Sequence, residues 1–353
     1  MSAPSISASS PPWSAALLAA EASASLVVFL VALPLSLGIA VASGAPVQAG
    51  LIAAVVGGVV VGLCGGAPLQ VSGPAAGLTV MVFGFVQQFG FAAVGVIAVI
   101  AGLVQLGAGL LKVARAALAI SPAVLHAMLA GIGILVALGQ FLVVLGGRPR
   151  GSALANLQAL PDTVAHLNGS AVAIGVATFV TLQVWNRFLA PRVKVIPGSL
   201  VAILAGTAVS FIVPGTVDHV SLGSGSLAGL ILPSIGDAPA GAIVLSALAL
   251  ALVASAESLL CAVATDQLHA GPRANLDREL VAQGLGNIVS GLLGGLPITG
   301  VIVRSSANIA AGARTRWSAV LHGVWIALFV LLASDILVML PMAARMCCRP
   351  SSS

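Results

Sequence analysis

Long apolar runs recur from one end of the chain to the other, separated by short segments that hold Pro, Gly, Ser and the few charges. Runs of roughly twenty residues are what a ~30 Å hydrocarbon core demands of a helix. The pattern therefore predicts an all-α polytopic membrane protein. The first span runs from about Glu21 to Ser43, with Pro34 and Gly38 near its centre, and the second from Ala49 to Leu63. The third is interrupted: Leu69 to Gly73 is predicted extended, and Pro74 then opens a helix from Ala75 to about Val86, since proline at the first helical position forfeits no hydrogen bond. Spans four (Phe91 to Leu111) and five (Ala123 to Leu145) precede a polar loop, Gly146 to Leu167. Spans six (Ser170 to Trp185) and seven (Val195 to Val213) follow, then a Gly/Ser/Asp-rich linker. Span eight covers Ala240 to Ala264, and the loop Thr265 to Arg278 is the most charged stretch. Span nine is Glu279 to Leu293, the second interrupted element Pro297 to Ala311, and span eleven Trp317 to Ala333. A last apolar run, Ile336 to Ala344, gives way to Arg345-Met346-Cys347-Cys348-Arg349-Pro350.

The two interrupted elements share a motif. Gly62-Leu63-Cys64-Gly65-Gly66-Ala67-Pro68-Leu69 and Gly291-Leu292-Leu293-Gly294-Gly295-Leu296-Pro297-Ile298 both read Gly-Leu-x-Gly-Gly-x-Pro. Gly/Pro-broken spans at corresponding places in two halves point to inverted repeats with a binding site between the breaks. The predicted organisation is a cytoplasmic tail (1–20), a first repeat of about seven spans (21–213), a linker (214–239), an incomplete second repeat (240–344) and an aberrant tail (345–353).

Composition narrows the class. Of 353 residues, 59% are hydrophobic and only 7% charged, with mean hydropathy +1.16, too little charge for a soluble domain. The net charge of +5 lies in short loops, without a basic cluster interleaved with aromatics, so no nucleic-acid partner is expected. Loops after spans four, six, eight and ten carry nine Lys/Arg (Lys112, Arg115; Arg187, Arg192, Lys194; Arg273, Arg278; Arg314, Arg316), against Arg148 and Arg150 after spans five and seven. By the positive-inside rule the N-terminus is cytoplasmic. Residues 1–20 lack the basic start of a secretory signal. Cys64, Cys261, Cys347 and Cys348 show no metal or redox spacing, and no hydrolase, metalloprotease or P-loop signature is present. The chain does not read as an enzyme, and no cofactor is expected beyond a coupling Na+.

Glu257 sits mid-span, where a carboxylate costs roughly 2.5–3.5 kcal/mol on insertion scales. It is either the holder of a coupling cation or proton, an anchor for the free N–H groups of the broken helices, or a partner for a neighbouring helix. Arg304 lies at the start of the second half-helix and can grip an oxyanion bidentately, pair with Glu257, or snorkel. Ser305, Ser306 and Ser72 flank the half-helix starts, as anion donors or plain caps. Two half-helices meeting head-on would turn two positive dipole ends on one cavity, which favours an anion. Asp266, His269, Asp277 and Glu279 are expected to be solvated or bonded to loop backbone. His322 and His126 are expected to make helix–helix hydrogen bonds, and Asn168-Gly169-Ser170 is a chance sequon.

These residues resemble a family. Gly65 to Val80 (GGAPLQVSGPAAGLTV) is similar to the third-span motif of the sulfate permease (SulP) family, Asn275 to Gly295 to its ninth span, and Gly300-Val301-Ile302-Val303-Arg304-Ser305 to its tenth. The resemblance covers Glu21 to about Ala344. It implies a seven-plus-seven inverted repeat in which a core (spans one to four and eight to eleven) moves against a gate, in a bacterial inner membrane. It implies anion binding between Ser72, Pro74, Ala75 and Ala76 on one side and Val303, Arg304, Ser305 and Ser306 on the other, with Glu257 and Thr79 at a sodium or proton site. A homodimer is a further implication. The family's cytoplasmic STAS domain and its spans twelve to fourteen have no counterpart here, so the chain is expected to be truncated. The expected function is secondary transport of a small inorganic anion, sulfate or bicarbonate, by elevator-like motion. The alternatives are a proton-coupled nucleobase permease, which tends to carry an acid on span ten where this chain has Arg304, or an inactive truncated fragment.

Overall fold

The computed structural model describes residues 14–114, 153–189, 198–213, 231–236 and 238–332, with scattered positions between 131 and 147. Most of span five, His126, most of the linker, the run after Asp335 and the tail lie outside the described residues.

Helix α1 (Ala15–Ala42) starts at Ser14, whose hydroxyl accepts from the Leu17 amide at 3.2 Å, and carries Pro34 in its interior. Helix α2 (Val47–Val56) continues through a π-helical segment, Gly57–Val61, to a last turn at Gly62–Cys64. A short strand β1 (Ser72–Pro74) and a 3-10 turn (Ala76–Leu78) lead into α3 (Thr79–Phe89), followed by α4 (Phe91–Leu110). Pro74 thus closes the strand instead of opening the helix, which begins only after the 3-10 turn. A strand with a single neighbour loses nothing to a missing N–H on its free side.

Helix α5 (Ala153–Ala165) occupies the stretch expected to be loop. Apolar residues Leu154, Leu157, Leu160 and Val164 recur at helical spacing there, and that periodicity outweighs the Pro/Gly punctuation. Helix α6 (Gly169–Val184) starts at Asn168, whose side chain accepts from the Ser170 and Ala171 amides, so the sequon asparagine is a helix cap. Helices α7 (Gly198–Ile212), α8 (Ala240–Gln267) and α9 (Leu276–Leu292) precede strand β2 (Ile298–Gly300), α10 (Ile302–Ala310) and α11 (Trp317–Leu332). Five of the described helical stretches, Leu17–Ala42, Val47–Cys64, Phe91–Leu110, Gly169–Leu189 and Ala240–Gln267, are long and apolar enough to cross a membrane.

The tightest packing is between α4 and α9. Gly95, Gly102 and Gly109 recur every seven residues on α4 and face Gly291, Gly284 and the Asp277–Val281 turn of α9. A methyl group on Gly102 would lie 2.6 Å from the Gly284 carbonyl, so the backbones meet directly. Close approach through small residues is how helices gain van der Waals contact where lipid removes the hydrophobic drive. Helices α1 and α11 pack side by side, with Phe29 and Phe329 edge-on at 5.8 Å. The α6–α7 pair packs mainly on itself and touches α1 through α7.

Candidate functional site: the crossing of two broken spans

β1 and β2 pair antiparallel, with Ser72 opposite Gly300, Gly73 opposite Thr299 and Pro74 opposite Ile298. All six residues are buried. Extended backbone inside a bilayer must find partners, because each unpaired polar group costs several kcal/mol. The two breaks satisfy one another. The Val301 amide donates to Val71 O (2.9 Å) and the Val71 amide to Ser305 Oγ (2.9 Å), while α8 serves the Gly300 amide through Ser258 Oγ (3.2 Å).

From this crossing two helical segments depart. The first begins after Ala75 and the second after Val301, and neither start has a side-chain cap. First-turn N–H groups have no partner within their own helix, and the helix dipole adds positive potential there. Both starts reach accessible surface, at Ala76 on one and at Ile302 and Val303 on the other.

The predicted side chains serve the crossing itself. Ser72 Oγ accepts from Gln283 Nε2 at 2.7 Å. Ser305 Oγ donates to Val301 O and lies 3.8 Å from Cys261 Sγ. Ser306 donates to Val303 O, within its own helix. Arg304 is wholly buried: it donates from Nη2 to Ser36 Oγ at 3.0 Å, faces Pro74 O at 3.4 Å, and lies against Gly73. Its Nε and Nη1 have no partner among the described residues. It neither snorkels nor pairs with Glu257, which makes no ion pair among the described residues. At the accessible side of the crossing stand Ala76, Ile302 and Val303, whose side chains carry no polar group.

Glu257 lies against the first segment. A methyl group on Gly77 would sit 2.6 Å from its Oε1. The carboxylate faces the Thr299 hydroxyl, and its Oε2 has no partner among the described residues. Thr79 is buried at the start of α3, without a hydrogen bond to Glu257 among the described residues. His322 departs from expectation: its Nδ1 bonds the Ala319 carbonyl of its own helix, because its ring is pressed against Gly58 of the π-helical segment. Asp266 accepts from the loop amide of Ala274, as expected, and Asp277 from the Ala114 amide, at the start of a helical turn. Glu279 also binds loop backbone, at Gly66 and Ala67, but it is fully buried and not solvated. Glu21, unremarked as a site in the sequence, accepts from the Arg314, Thr315 and Ser318 amides and so caps α11 from α1.

The Sulfate permease family model matches residues 18–346. The chain belongs to this family. It is 30% identical over 329 residues to the bicarbonate transporter BicA of Picosynechococcus, covering 89% of this chain and 57% of the relative. It is 29% identical over 336 residues to YvdB of Bacillus subtilis, whose name proposes sulfate transport, covering 91% and 61%. The chain therefore spans about 57% to 61% of the length of these curated relatives. Among solved structures, the transmembrane domain of a cyanobacterial bicarbonate transporter, BicA, superposes with TM-score 0.84 at 27% identity, covering 94% of this chain and 87% of that one. Family and apolar helices together make this an integral, multi-pass membrane protein, and the match does not favour the nucleobase-permease reading.

Proposed function

We propose that the chain is the membrane part of a secondary transporter for a small inorganic anion, sulfate or bicarbonate. One observation carries this: the β1–β2 pair brings two uncapped helix starts to one crossing. An anion would be held by main-chain N–H groups near Ala75–Ala76 and Ile302–Val303, since such starts are ready-made anion sites. The hydroxyls of Ser72, Ser305 and Ser306 shape that cradle, and the buried Arg304 guanidinium adds positive charge from behind. The relatives named for bicarbonate and sulfate support the same substrate class.

Glu257, with its open Oε2 beside Gly77 and Thr299, is the proposed seat of a coupling sodium ion or proton, with Thr79 near the start of the same helix. In this reading the body formed by α1–α4 and α8–α11 moves as a unit in a bacterial inner membrane, N-terminus inside, in a homodimer. The test is equilibrium binding to the purified chain of sulfate, bicarbonate, fumarate and uracil, with and without sodium. Saturable binding of one inorganic anion is expected; uracil binding alone would overturn the proposal.

A further inference from the structure

The face of α9 turned to the crossing carries Glu279, Gln283 and Asn287, four residues apart, which places them in one row along the helix. All three are buried. Each holds a different part of the two breaks. Glu279 Oε2 accepts from the Gly66 and Ala67 amides at 2.9 and 3.0 Å, and its Oε1 accepts from Gln70 Nε2 and Gln283 Nε2, both at 2.8 Å. Gln283 passes on to β1 through Ser72 Oγ. Asn287 holds β2 by its main chain, accepting from the Ile298 amide at 2.7 Å and donating to the Ile298 carbonyl at 3.0 Å; it also donates to Gln105 of α4 at 2.8 Å. Gln70, fixed by Glu279, lies directly against Gly300 of β2.

A rigid helix is thus bonded to the turn before β1, to β1 and to β2. Because a helix has a fixed rise of ~1.5 Å per residue, the row fixes where each strand sits relative to the other. The helix starts follow those strands within a few residues, so the row also sets the distance between them. We infer that Glu279, Gln283 and Asn287 are positioning residues that set the gap between the two helix starts and thereby the size of anion accepted. The inference rests on the proposed anion site. The row meets the proposed cradle at Ser72, through Gln283 Nε2, and among the described residues it makes no hydrogen bond to Ala76, Ile302 or Val303.

The test compares Kd for radiolabelled sulfate and for bicarbonate in wild type, Gln283→Leu, Ser72→Ala and the double variant. Gln283→Leu keeps the size of the side chain and removes its bonds to Glu279 and Ser72. A widened gap should move the Kd ratio toward the larger sulfate by about threefold or more. Ser72→Ala cuts the same bond from the strand side, and the double variant should shift the ratio no further than Gln283→Leu does alone. An unchanged ratio in Gln283→Leu, or additive shifts, which would mean that Ser72 touches the anion directly, overturns the inference. Amide hydrogen exchange at residues 298–303 gives a readout that needs no anion. It should quicken in Gln283→Leu, and exchange equal to wild type overturns the inference even if the wild-type chain binds neither anion. Failure of all anion binding in wild type would instead remove the site reading.

Discussion

The two breaks begin from the same seven-residue motif and end differently. In the first, the turn after Gly65 is held from outside, by the Glu279 carboxylate and by the Asn275 amide bonding Gly66 O. The preceding helix end is covered by two arginines: Arg278 donates to Cys64 O, and Arg316 to Leu63 O and Gly65 O. Cations at a helix C-terminus meet its unpaired carbonyls and negative dipole end. In the second break the turn is held largely from within. Ser290 donates to Leu296 O, the Gly295 amide reaches Ser290 O, and Gly294 takes φ 70°, a conformation that suits glycine. Among the described residues, the hydrogen bond from this turn to the first repeat is that of the Leu296 amide to Ala49 O. The first break enters its helix through a 3-10 turn without any charge of its own, whereas the second enters after one residue and carries Arg304. A repeated backbone plan has therefore been given unequal chemistry: the second break supplies the cation, Arg304, while Glu257 meets both, Gly77 after the first and Thr299 in the second.

That contrast can be broken at several points. The largest effect should come from Glu279→Ala, which strands two amides and two carboxamide groups in a buried place. Each buried donor left without its acceptor costs about 1–3 kcal/mol. The expected result is a strongly lowered unfolding transition of the detergent-solubilised protein, with Glu279→Gln falling in between. Next, Arg304→Ala should weaken anion binding about tenfold, ~1.4 kcal/mol, with the protein still inserted. Retention of wild-type affinity there would place the site's positive potential in the helix starts alone. Gly77→Ala pushes a methyl into the Glu257 carboxylate and should blunt sodium or pH dependence of anion binding more than it changes affinity at saturating sodium. An unaltered dependence would make Glu257 a structural partner. The smallest effect belongs to Ser306→Ala, within about twofold or ~0.4 kcal/mol, since its hydroxyl is bonded within its own helix, to Val303 O. A large loss would show that its hydroxyl turns to the anion.

Much of this was legible beforehand. The spans from Phe91, Ala240 and Trp317 were bounded to within a few residues by hydrophobic run length alone, and the paired Gly-Leu-x-Gly-Gly-x-Pro motifs located both breaks. The helix over Ala153–Ala165 was missed because Gly146, Gly147 and Pro161 signalled a loop while the apolar spacing between them signalled a helix. Pro74 was assigned to the wrong side of its boundary, since proline suits both a first helical turn and a strand end. For Glu279 the expected bonds to loop backbone are present, at Gly66 and Ala67, but its burial was not legible, because a position at a span start says nothing about what packs over it.

Run length and glycine–proline punctuation are local, and they sufficed to determine the membrane class, the positions of the breaks and the residue types around them. Side-chain direction is not local. That Arg304 points back to Ser36, that Ser72 answers to Gln283, and that one carboxylate on α9 holds a turn more than two hundred residues away were decided by the packing of α9 against α4 and of β1 against β2. Their hydrogen-bond partners come from distant parts of the chain, and burial forces every such polar group to find one.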